Sequence, residues 1–371
     1  MAQVREVAIV GAGLLGLAAG RALAARGRDV VLLEQARVGH DRAGSKGSCR
    51  IFRLGYPEPG YVTAARQARV LWHELEAGTG RRILQPAPHL TFGGGLAAVQ
   101  AAMQAAGAPC ELLPAGEVAR RFPAIRIDGP ALLEPESCVI AADEALAALA
   151  DGGPEIRAGV RVLSLADDGR QVTLRTTQGP VTARTAIITA GPWSAGLATS
   201  AGLPVPGRPT MEQVGYLRPR QDPAAGPGEQ SARPPIFICH GDQAPYGLPV
   251  PGSPLYKIGI HPSGPVTDPD AQQQGPDPVL VARLAAVARR FLPGYEPEPA
   301  STERCVYDNT PDEDFVLDRR GNVVLGCGTS GHGFKFGPLF GEWLAQLAGA
   351  GAGPDWPVPA RRFALARFAS P

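Results

Sequence analysis

A glycine-rich segment near the amino terminus has the spacing of a dinucleotide-binding turn. Gly11, Gly13 and Gly16 follow the apolar run Val7–Val10 and precede an Ala/Leu-rich segment. The first glycine permits a tight turn, the second lets a pyrophosphate approach the backbone, and the third lets helix and strand pack closely. Glu34 ends the next apolar run, where a carboxylate can accept hydrogen bonds from a ribose. These residues predict a bound dinucleotide but do not distinguish FAD from NAD.

Lysine is rare in this chain, so the places where it occurs are informative. Of the 36 lysine and arginine residues, only Lys46, Lys257 and Lys335 are lysines. Lys335 lies in a glycine-rich turn between an apolar run and a helical pattern, where a simply solvated lysine is the less favoured interpretation. A fixed cation can bind a carboxylate or stabilise negative charge that develops during a reaction.

The elements that must position these residues alternate between strand and helix at both ends of the chain. Apolar spacing predicts helices over 64–76, 96–106, 144–150 and 340–347, and strands over 185–189, 235–239, 255–260 and 322–327. Two strands, 161–165 and 172–175, are predicted to form a hairpin, and the Pro/Gly-rich stretches 219–235 and 262–278 are predicted to be surface loops. The pattern predicts an α/β fold with a Rossmann-type domain and a second α+β domain, whose sheet is mixed and largely antiparallel.

Composition excludes several classes of function. A net charge of +1 offers no field for nucleic acid or an anionic membrane, and Arg, Gly and Pro interrupt every apolar run before it reaches the length of a membrane span. No signal peptide is recognised before the first strand. The cysteines form no C-x-x-C pair, which argues against a zinc site or a disulfide framework: Cys49, Cys110, Cys138, Cys239, Cys305 and Cys327. We expect a cytoplasmic enzyme without a metal.

Five short motifs resemble those of monomeric sarcosine oxidases and N-methyltryptophan oxidases. They are G-S-K-G-S-C-R-I-F-R at 44–53, Y-G-L-P at 246–249, K-I-G-I-H at 257–261, C-V-Y-D-N-T-P-D-E-D-F at 305–315 and S-G-H-G-F-K-F at 330–336. The motifs appear in the family's order from one end of the chain to the other. The resemblance implies an FAD-dependent amine oxidase of the glycine/D-amino-acid oxidase-like superfamily and decides for FAD over NAD.

The resemblance implies a role for each of five residues in these motifs. Arg53 and Lys335 match the pair that binds the substrate carboxylate. The planar guanidinium of an arginine can donate two parallel hydrogen bonds, and the ammonium of a lysine adds a compact positive charge. Lys257 matches the lysine that promotes the reaction of reduced flavin with oxygen. Cys305 matches the cysteine that forms a thioether to the flavin, so covalent FAD is expected. Arg50 matches the arginine that lies against the flavin ring.

The same resemblance indicates the substrate pocket and the rest of the cofactor site. Tyr246, His261 and Tyr307 match pocket residues, although a structural, hydrogen-bonded role for His261 is about equally plausible. A second small-residue strand end at Ala190 and Gly191 is expected to approach the cofactor. The remaining expected cofactor contacts are Leu14, Leu15, Ser45, Val160, Gly331, His332 and Gly333.

The chain also departs from the family's motifs. Lys46 stands in place of histidines in a segment one residue shorter, and Cys49 stands in place of threonine. Around Phe237 and His240, both of which are expected to face substrate, the residues do not match the sarcosine pocket. These departures favour a cyclic or aromatic amino acid over sarcosine. Lys46 could meet a second anionic or carbonyl group of such a substrate, contact the FAD pyrophosphate, or simply lie in a solvated loop.

The motifs are compatible with three functions. The leading hypothesis is a monomeric oxidase that converts an amine or amino acid and molecular oxygen into an imine and hydrogen peroxide. The alternatives are a related FAD dehydrogenase with another electron acceptor and a non-catalytic nucleotide-binding protein.

A chain of 371 residues favours two domains. We assign residues 1–84, 138–208 and 306–371 to a discontinuous FAD-binding domain, and 85–137 and 209–305 to a substrate domain.

Overall fold

The computed structural model describes residues 4–42, 44–220, 233–241, 243–262, 264–271, 275–351 and 357–369. Most of the predicted loop 219–235, and residues 263 and 272–274 of the loop 262–278, lie outside the described residues. In the described part of the chain, the strands are β1 Arg5–Val10, β2 Val30–Glu34, β3 Cys49–Phe52, β4 Leu84–Pro86, β5 His89–Gly93, β6 Glu111–Leu113, β7 Ala131–Glu134, β8 Cys138–Ala141, β9 Glu155–Ala158, β10 Val162–Asp167, β11 Val172–Thr176, β12 Gly179–Ile188, β13 Arg208–Leu217, β14 Ile236–His240, β15 Pro245–Pro249, β16 Tyr256–Ile260, β17 Ser301–Asn309, β18 Val316–Arg320 and β19 Val323–Cys327.

Helices lie between these strands and begin and end at recognisable signals. The helices of the described residues are α1 Leu14–Ala24, α2 Pro59–Thr79, α3 Leu96–Ala105, α4 Ala115–Arg121, α5 Ala142–Ala150, α6 Ser194–Ser200, α7 Pro278–Phe291, α8 Gly337–Leu347 and α9 Ala360–Phe363. Helix α2 begins with a proline, whose missing N–H costs nothing in the first turn, and it ends at Gly80 in the left-handed conformation. The Asp277 carboxylate caps α7 by accepting from the N–H groups of Val279 and Leu280. None of the described helices is long and apolar enough to cross a membrane.

The first sheet carries the Rossmann-type unit. Its strand order is β10-β11-β12-β1-β2-β9, and β19 joins β12 and pairs with β18. The pairs β12–β1, β1–β2, β2–β9 and β12–β19 are parallel, whereas β10–β11 and β11–β12 are antiparallel. Parallel strands bring their carboxyl ends to one edge, so Gly11, Glu34, Thr189 and Gly328 lie at the same edge of the sheet. The predicted hairpin is confirmed as the antiparallel pair of β10 and β11.

The second sheet is largely antiparallel, as expected. Its order is β17-β13-β16-β15-β14-β5-β7-β6, and only β14 and β5 pair in parallel within it. A third sheet joins β3, β8 and β4. The predicted α/β fold with a mixed, largely antiparallel second sheet is confirmed by these pairings. The division into domains stays a prediction; β17 runs across its proposed boundary between residues 305 and 306.

Candidate active site

A cavity of about 940 Å³ extends from the carboxyl edge of the first sheet to the face of the second. It is lined by all of the predicted site residues except Gly16 and Phe237. Gly16 does not line the cavity, and glycine is required there for packing, because a Cβ would lie 1.9 Å from the carbonyl oxygen of Gly11. The tertiary structure thus brings predicted site residues as far apart in the chain as Gly11 and Lys335 together around one cavity.

One end of the cavity is formed by the glycine turn and Glu34. Gly11 has φ +94°, a conformation that glycine adopts without strain. The buried Glu34 carboxylate accepts from the N–H groups of Ala12 and Ala36, each at 2.9 Å, and lies 3.4 Å from Nε2 of His40. Burial raises the pKa of Glu34, but these hydrogen bonds outweigh it, and the net pKa lies below its usual value. Glu34 is thus an ionised acceptor at the position expected for a ribose.

The amino terminus of α1 is suited to a pyrophosphate. Gly13, the residue before the helix, has no side chain to cap it. The Leu14 N–H donates to Oγ of Ser45 at 3.1 Å, which ties the 44–50 segment to the turn. Ala190 and Gly191 also line the cavity, and Ala190 lies close to Gly11 of the glycine turn. Helix N–H groups and the helix dipole favour an anion here.

The 44–50 segment is folded around Arg50. Its guanidinium donates to the carbonyl oxygens of Cys49 at 2.9 Å, of Gly44 at 3.0 Å, and of Lys46. Its Cζ lies 5.4 Å from the ring centroid of Phe334. A cation is therefore held at the cavity wall by neutral carbonyl groups, which leaves its charge free to act on a neighbouring cofactor. Lys46 lies on the same wall.

Lys257 is a buried cation beside this segment. Its side chain points from the fully buried strand β16, the residue is 4% exposed, and Nζ donates to the carbonyl oxygen of Cys49 at 3.2 Å. Nζ also lies 5.7 Å from the ring centroid of Tyr216. Burial lowers the pKa of Lys257, and the charge of Arg50 lowers it further.

Cys305 lies on β17, where its thiol lines the cavity and is not in a disulfide. Burial raises the pKa of Cys305, whereas Arg50 and Lys257 act in the opposite direction. Lys46 acts in the same direction as these two cations. A thiolate is the reactive form of cysteine, so the three cations favour the nucleophilic form of this thiol.

Arg53 and Lys335 converge on Tyr56 at another part of the cavity. Cζ of Arg53 lies 3.9 Å from the ring centroid of Tyr56. Nζ of Lys335, a residue only 4% exposed, donates to the hydroxyl of Tyr56 at 2.8 Å and to the carbonyl oxygen of His332 at 2.6 Å. Burial lowers the pKa of Lys335 well below its usual value, and Arg53 lowers it further. We call Arg53 and Lys335 the cation pair.

The hydrogen bonds around Tyr56 assign its protons. Nε2 of His332 lies 3.0 Å from the carbonyl oxygen of Glu313, which can only accept, so Nε2 carries hydrogen. Burial and the charge of Lys335 lower the pKa of His332 well below its usual value, so the ring is neutral and Nδ1 is an acceptor. The Tyr56 hydroxyl, 3.1 Å away, therefore donates to Nδ1. Its oxygen remains free to accept from Lys335, which orients that lysine.

Two tyrosines and a histidine form the wall near Cys305. Tyr246 and Tyr307 are hydrogen-bonded to each other, and burial raises the pKa of both hydroxyls, so both stay neutral. The His261 ring centroid lies 5.6 Å from that of Tyr307, and burial lowers the pKa of His261. Gly331, with φ +72°, is required beneath this wall, because a Cβ there would lie 2.2 Å from the Tyr307 ring.

One expected pocket residue lies elsewhere, and Tyr56 was not foreseen. The expectation that Phe237 faces substrate is wrong: its side chain is fully buried in the core behind the second sheet, where it packs on Phe92 and Tyr256. Side chains alternate along a strand, so Ile238 and His240 line the cavity instead. Tyr56 follows Arg53 closely, but no sequence signal connects it with Lys335, 279 residues away.

Residues 6–347 match a protein family described as FAD dependent oxidoreductase. The chain belongs to this family. Its residues fit the cofactor, since the glycine turn, Glu34 and the long cavity provide an ionised ribose acceptor, a helix amino terminus and room for a flavin. The expected FAD dependence is thereby confirmed.

Similar proteins agree with the resemblance seen in the motifs. The chain of this flavoprotein is 34% identical to the peroxisomal sarcosine oxidase of Mus musculus over 92% of both chains. It is 31% identical to the monomeric sarcosine oxidase of Bacillus sp. (strain NS-129) over 93% of both. The solved structure of NikD, an unusual amino acid oxidase essential for nikkomycin biosynthesis, matches with a TM-score of 0.83 and 25% identity, covering 98% of this chain and 97% of that one.

Proposed function

We propose that this flavoprotein oxidises the C–N bond of a small amino acid, or of a secondary or cyclic amine that carries a carboxylate. FAD, when bound, accepts two electrons from the substrate and passes them to oxygen. The amine loses two electrons and two protons to become an imine, and oxygen gains both to become hydrogen peroxide. The observation that carries this proposal is the convergence of Arg53 and Lys335 at one part of the cavity, with Lys257 buried in another wall.

The cation pair would bind and orient the carboxylate of the substrate. The planar guanidinium of Arg53 can donate two parallel hydrogen bonds, and Lys335 is held by Tyr56 and the carbonyl of His332 in one direction. Holding the carboxylate fixes where the amine lies relative to the cofactor. His261 is neutral, because burial lowers its pKa, so its ring can accept a proton or hydrogen bond from the substrate amine.

We propose a cyclic or aromatic amino acid rather than sarcosine as the substrate. Support comes from cavity-lining residues that depart from the sarcosine oxidase motifs, namely Lys46, Cys49 and His240. Among the roles considered for Lys46, its place on the cavity wall favours contact with substrate or cofactor over a solvated loop. We also propose that the enzyme is monomeric and cytoplasmic, the former supported by the description of its Bacillus relative as monomeric.

The test is to supply sarcosine, L-proline, L-pipecolate and N-methyl-L-tryptophan to the purified yellow protein and measure hydrogen peroxide against substrate consumed. We expect one peroxide per imine formed, with a cyclic or aromatic substrate preferred over sarcosine. Turnover that needs an added dye and yields no peroxide would establish the dehydrogenase alternative. A colourless protein that binds no FAD would contradict the whole proposal.

We further propose that Sγ of Cys305 forms a thioether with the 8-methyl group of the flavin. Forming this C–S bond would break the S–H bond and one methyl C–H bond and release two electrons and two protons, which FAD would take up and pass to oxygen as hydrogen peroxide. Acid precipitation of the wild-type protein is expected to leave the yellow colour in the pellet. A Cys305→Ser variant should release its flavin into the supernatant, whereas Cys110→Ser, at a half-buried cysteine that does not line the cavity, should not. Colour in the supernatant from wild-type protein would refute the link.

A further inference from the structure

Glu134 is a fully buried carboxylate, and the proposed reaction assigns it no part. It ends strand β7 and is 0% exposed. Its Oε2 accepts from the N–H groups of Leu54 and Gly55, both at 2.9 Å, and its Oε1 lies 2.7 Å from Nδ1 of the equally buried His89. Burying a carboxylate without partners costs several kcal/mol of folding free energy. The hydrogen bonds from Leu54, Gly55 and His89 offset that cost for Glu134.

The two backbone groups that Glu134 binds belong to the residues directly after Arg53. His89 and Glu134 are cross-strand partners on β5 and β7 of the second sheet. The second sheet thereby holds the turn that carries Arg53, and the fit is tight, because a Cβ on Gly55 would lie 2.4 Å from Oε1 of Glu134. The position of Arg53 is thus set by a residue that does not line the cavity.

The negative charge of Glu134 also acts electrostatically on both members of the cation pair. Burial raises the pKa of Glu134, but His89, Arg53 and the N–H of Gly55 outweigh it and bring the pKa to about 2, so the carboxylate is ionised. Burial and Arg53 lower the pKa of Lys335, and Glu134 acts against both. Without an internal anion, the half-buried guanidinium of Arg53 and the buried ammonium of Lys335 would repel one another, and the lysine would lose its proton more readily.

We propose that Glu134, supported by His89, is a positioning residue for carboxylate binding: it holds the turn of Arg53 and supplies the counter-charge that keeps Lys335 protonated. This inference rests on the proposed function, since it assumes that Arg53 and Lys335 bind the carboxylate of the substrate. It adds a residue from the second sheet that touches neither substrate nor cofactor.

The sign of the expected pH dependence follows from the groups that act on Lys335. Arg53 and Tyr56 reach it from the segment before α2, His332 from its own turn, His261 from the end of β16 and Glu134 from β7. Of these, Glu134 raises the pKa of Lys335 and Arg53 lowers it. Removing the charge of Glu134 therefore lowers the pKa of Lys335. As pH rises, the lysine then loses its proton earlier, and the affinity for a carboxylate begins to fall at a lower pH than in wild type.

The experiment measures the dissociation constant of the holoenzyme for acetate, and for neutral acetamide, across pH by equilibrium titration of the flavin absorbance. Glu134→Gln can keep the carbonyl oxygen that accepts from Leu54 and Gly55 while removing the charge. Glu76→Gln is the matched control, because Glu76 also accepts two backbone N–H groups and pairs with a histidine. Like Glu134 it does not line the cavity, but the N–H groups it binds are those of Ile83 and Leu84, away from the segment that carries Arg53.

In Glu134→Gln, the pH at which acetate affinity begins to fall should drop by about one unit, so that above it the dissociation constant is about tenfold higher than in wild type. Acetate affinity at low pH, acetamide affinity and the Glu76→Gln profile should be unchanged. Coincident profiles of Glu134→Gln and wild type would overturn the role of Glu134 alone. A wild-type protein that binds no acetate at any pH would instead overturn the cation pair as a carboxylate site, and with it this inference.

A second variant keeps the proposal testable where Glu134→Gln does not fold. Glu134→Asp retains the charge but is one methylene shorter, so it loses its reach to the turn of Arg53. We expect acetate affinity about tenfold weaker at every pH, with no displacement of the profile, since a hydrogen-bonded charge contributes of this order. Unaltered affinity in Glu134→Asp would refute the positioning role.

Discussion

Replacing Lys257 by methionine is expected to slow the reaction of the reduced protein with oxygen by about 10²- to 10³-fold, the cost of removing one preorganised electrostatic group. Lys257 is buried on β16, and among the described residues its Nζ donates to a neutral carbonyl oxygen, that of Cys49. Within the part of the chain that the structure describes, no carboxylate forms a direct ion pair with Lys257, so its charge can stabilise negative charge that develops on oxygen. Rapid mixing of the anaerobically reduced protein with oxygenated buffer measures this step alone.

The reduction of the flavin by substrate supplies the control for this variant. Lys257 lies beside Cys49 and Tyr216, whereas the carboxylate is proposed to bind at Arg53 and Lys335. The rate of anaerobic reduction should therefore change by less than about threefold in Lys257→Met. Normal oxygen reactivity in this variant would contradict the role given to the lysine. Loss of both half-reactions would indicate general damage to the site.

Replacing Lys335 by methionine should raise the dissociation constant for a carboxylate ligand by about 10²-fold, since truncating one partner of a buried charge pair costs about 2–5 kcal/mol. Nζ of Lys335 is held by Tyr56 and the carbonyl of His332, so it meets a carboxylate without reorganisation. Titration with acetate, with neutral acetamide as control, measures this effect. Equal weakening of both ligands would mean that the pocket had collapsed.

The two lysine variants also differ in their pH dependence. The pKa of Lys335 lies well below its usual value because the side chain is buried, so the ammonium loses its proton at a lower pH than an exposed lysine does. A bound carboxylate favours the protonated form. Carboxylate affinity in wild-type protein should therefore fall as pH rises through this pKa, whereas Lys335→Met should lack that fall. Lys257→Met should retain it.

Local features of the sequence were sufficient to predict the cofactor end of the site. The glycine turn, Glu34 and the following strand lie close together along the chain, and backbone geometry alone brings Ala12 within 2.9 Å of the Glu34 carboxylate. The βαβ unit, the hairpin of β10 and β11 and the largely antiparallel second sheet were predicted for the same reason. Each depends on residue spacing that is read within a short window.

The substrate end was decided by packing between distant segments. Phe237 and Ile238 are neighbours in the chain, and only the pairing of β14 with β5 and β15 determines which of them faces the cavity. Tyr56 meets Lys335 because α2 and the turn before α8 pack together, as the hydrogen bond from Trp72 to the Lys335 carbonyl shows. The sequence by itself determined a nucleotide turn and a set of cations. Only the tertiary structure decided which cations converge and that Glu134 lies behind them, because contacts between distant residues depend on register and packing, which local spacing does not contain.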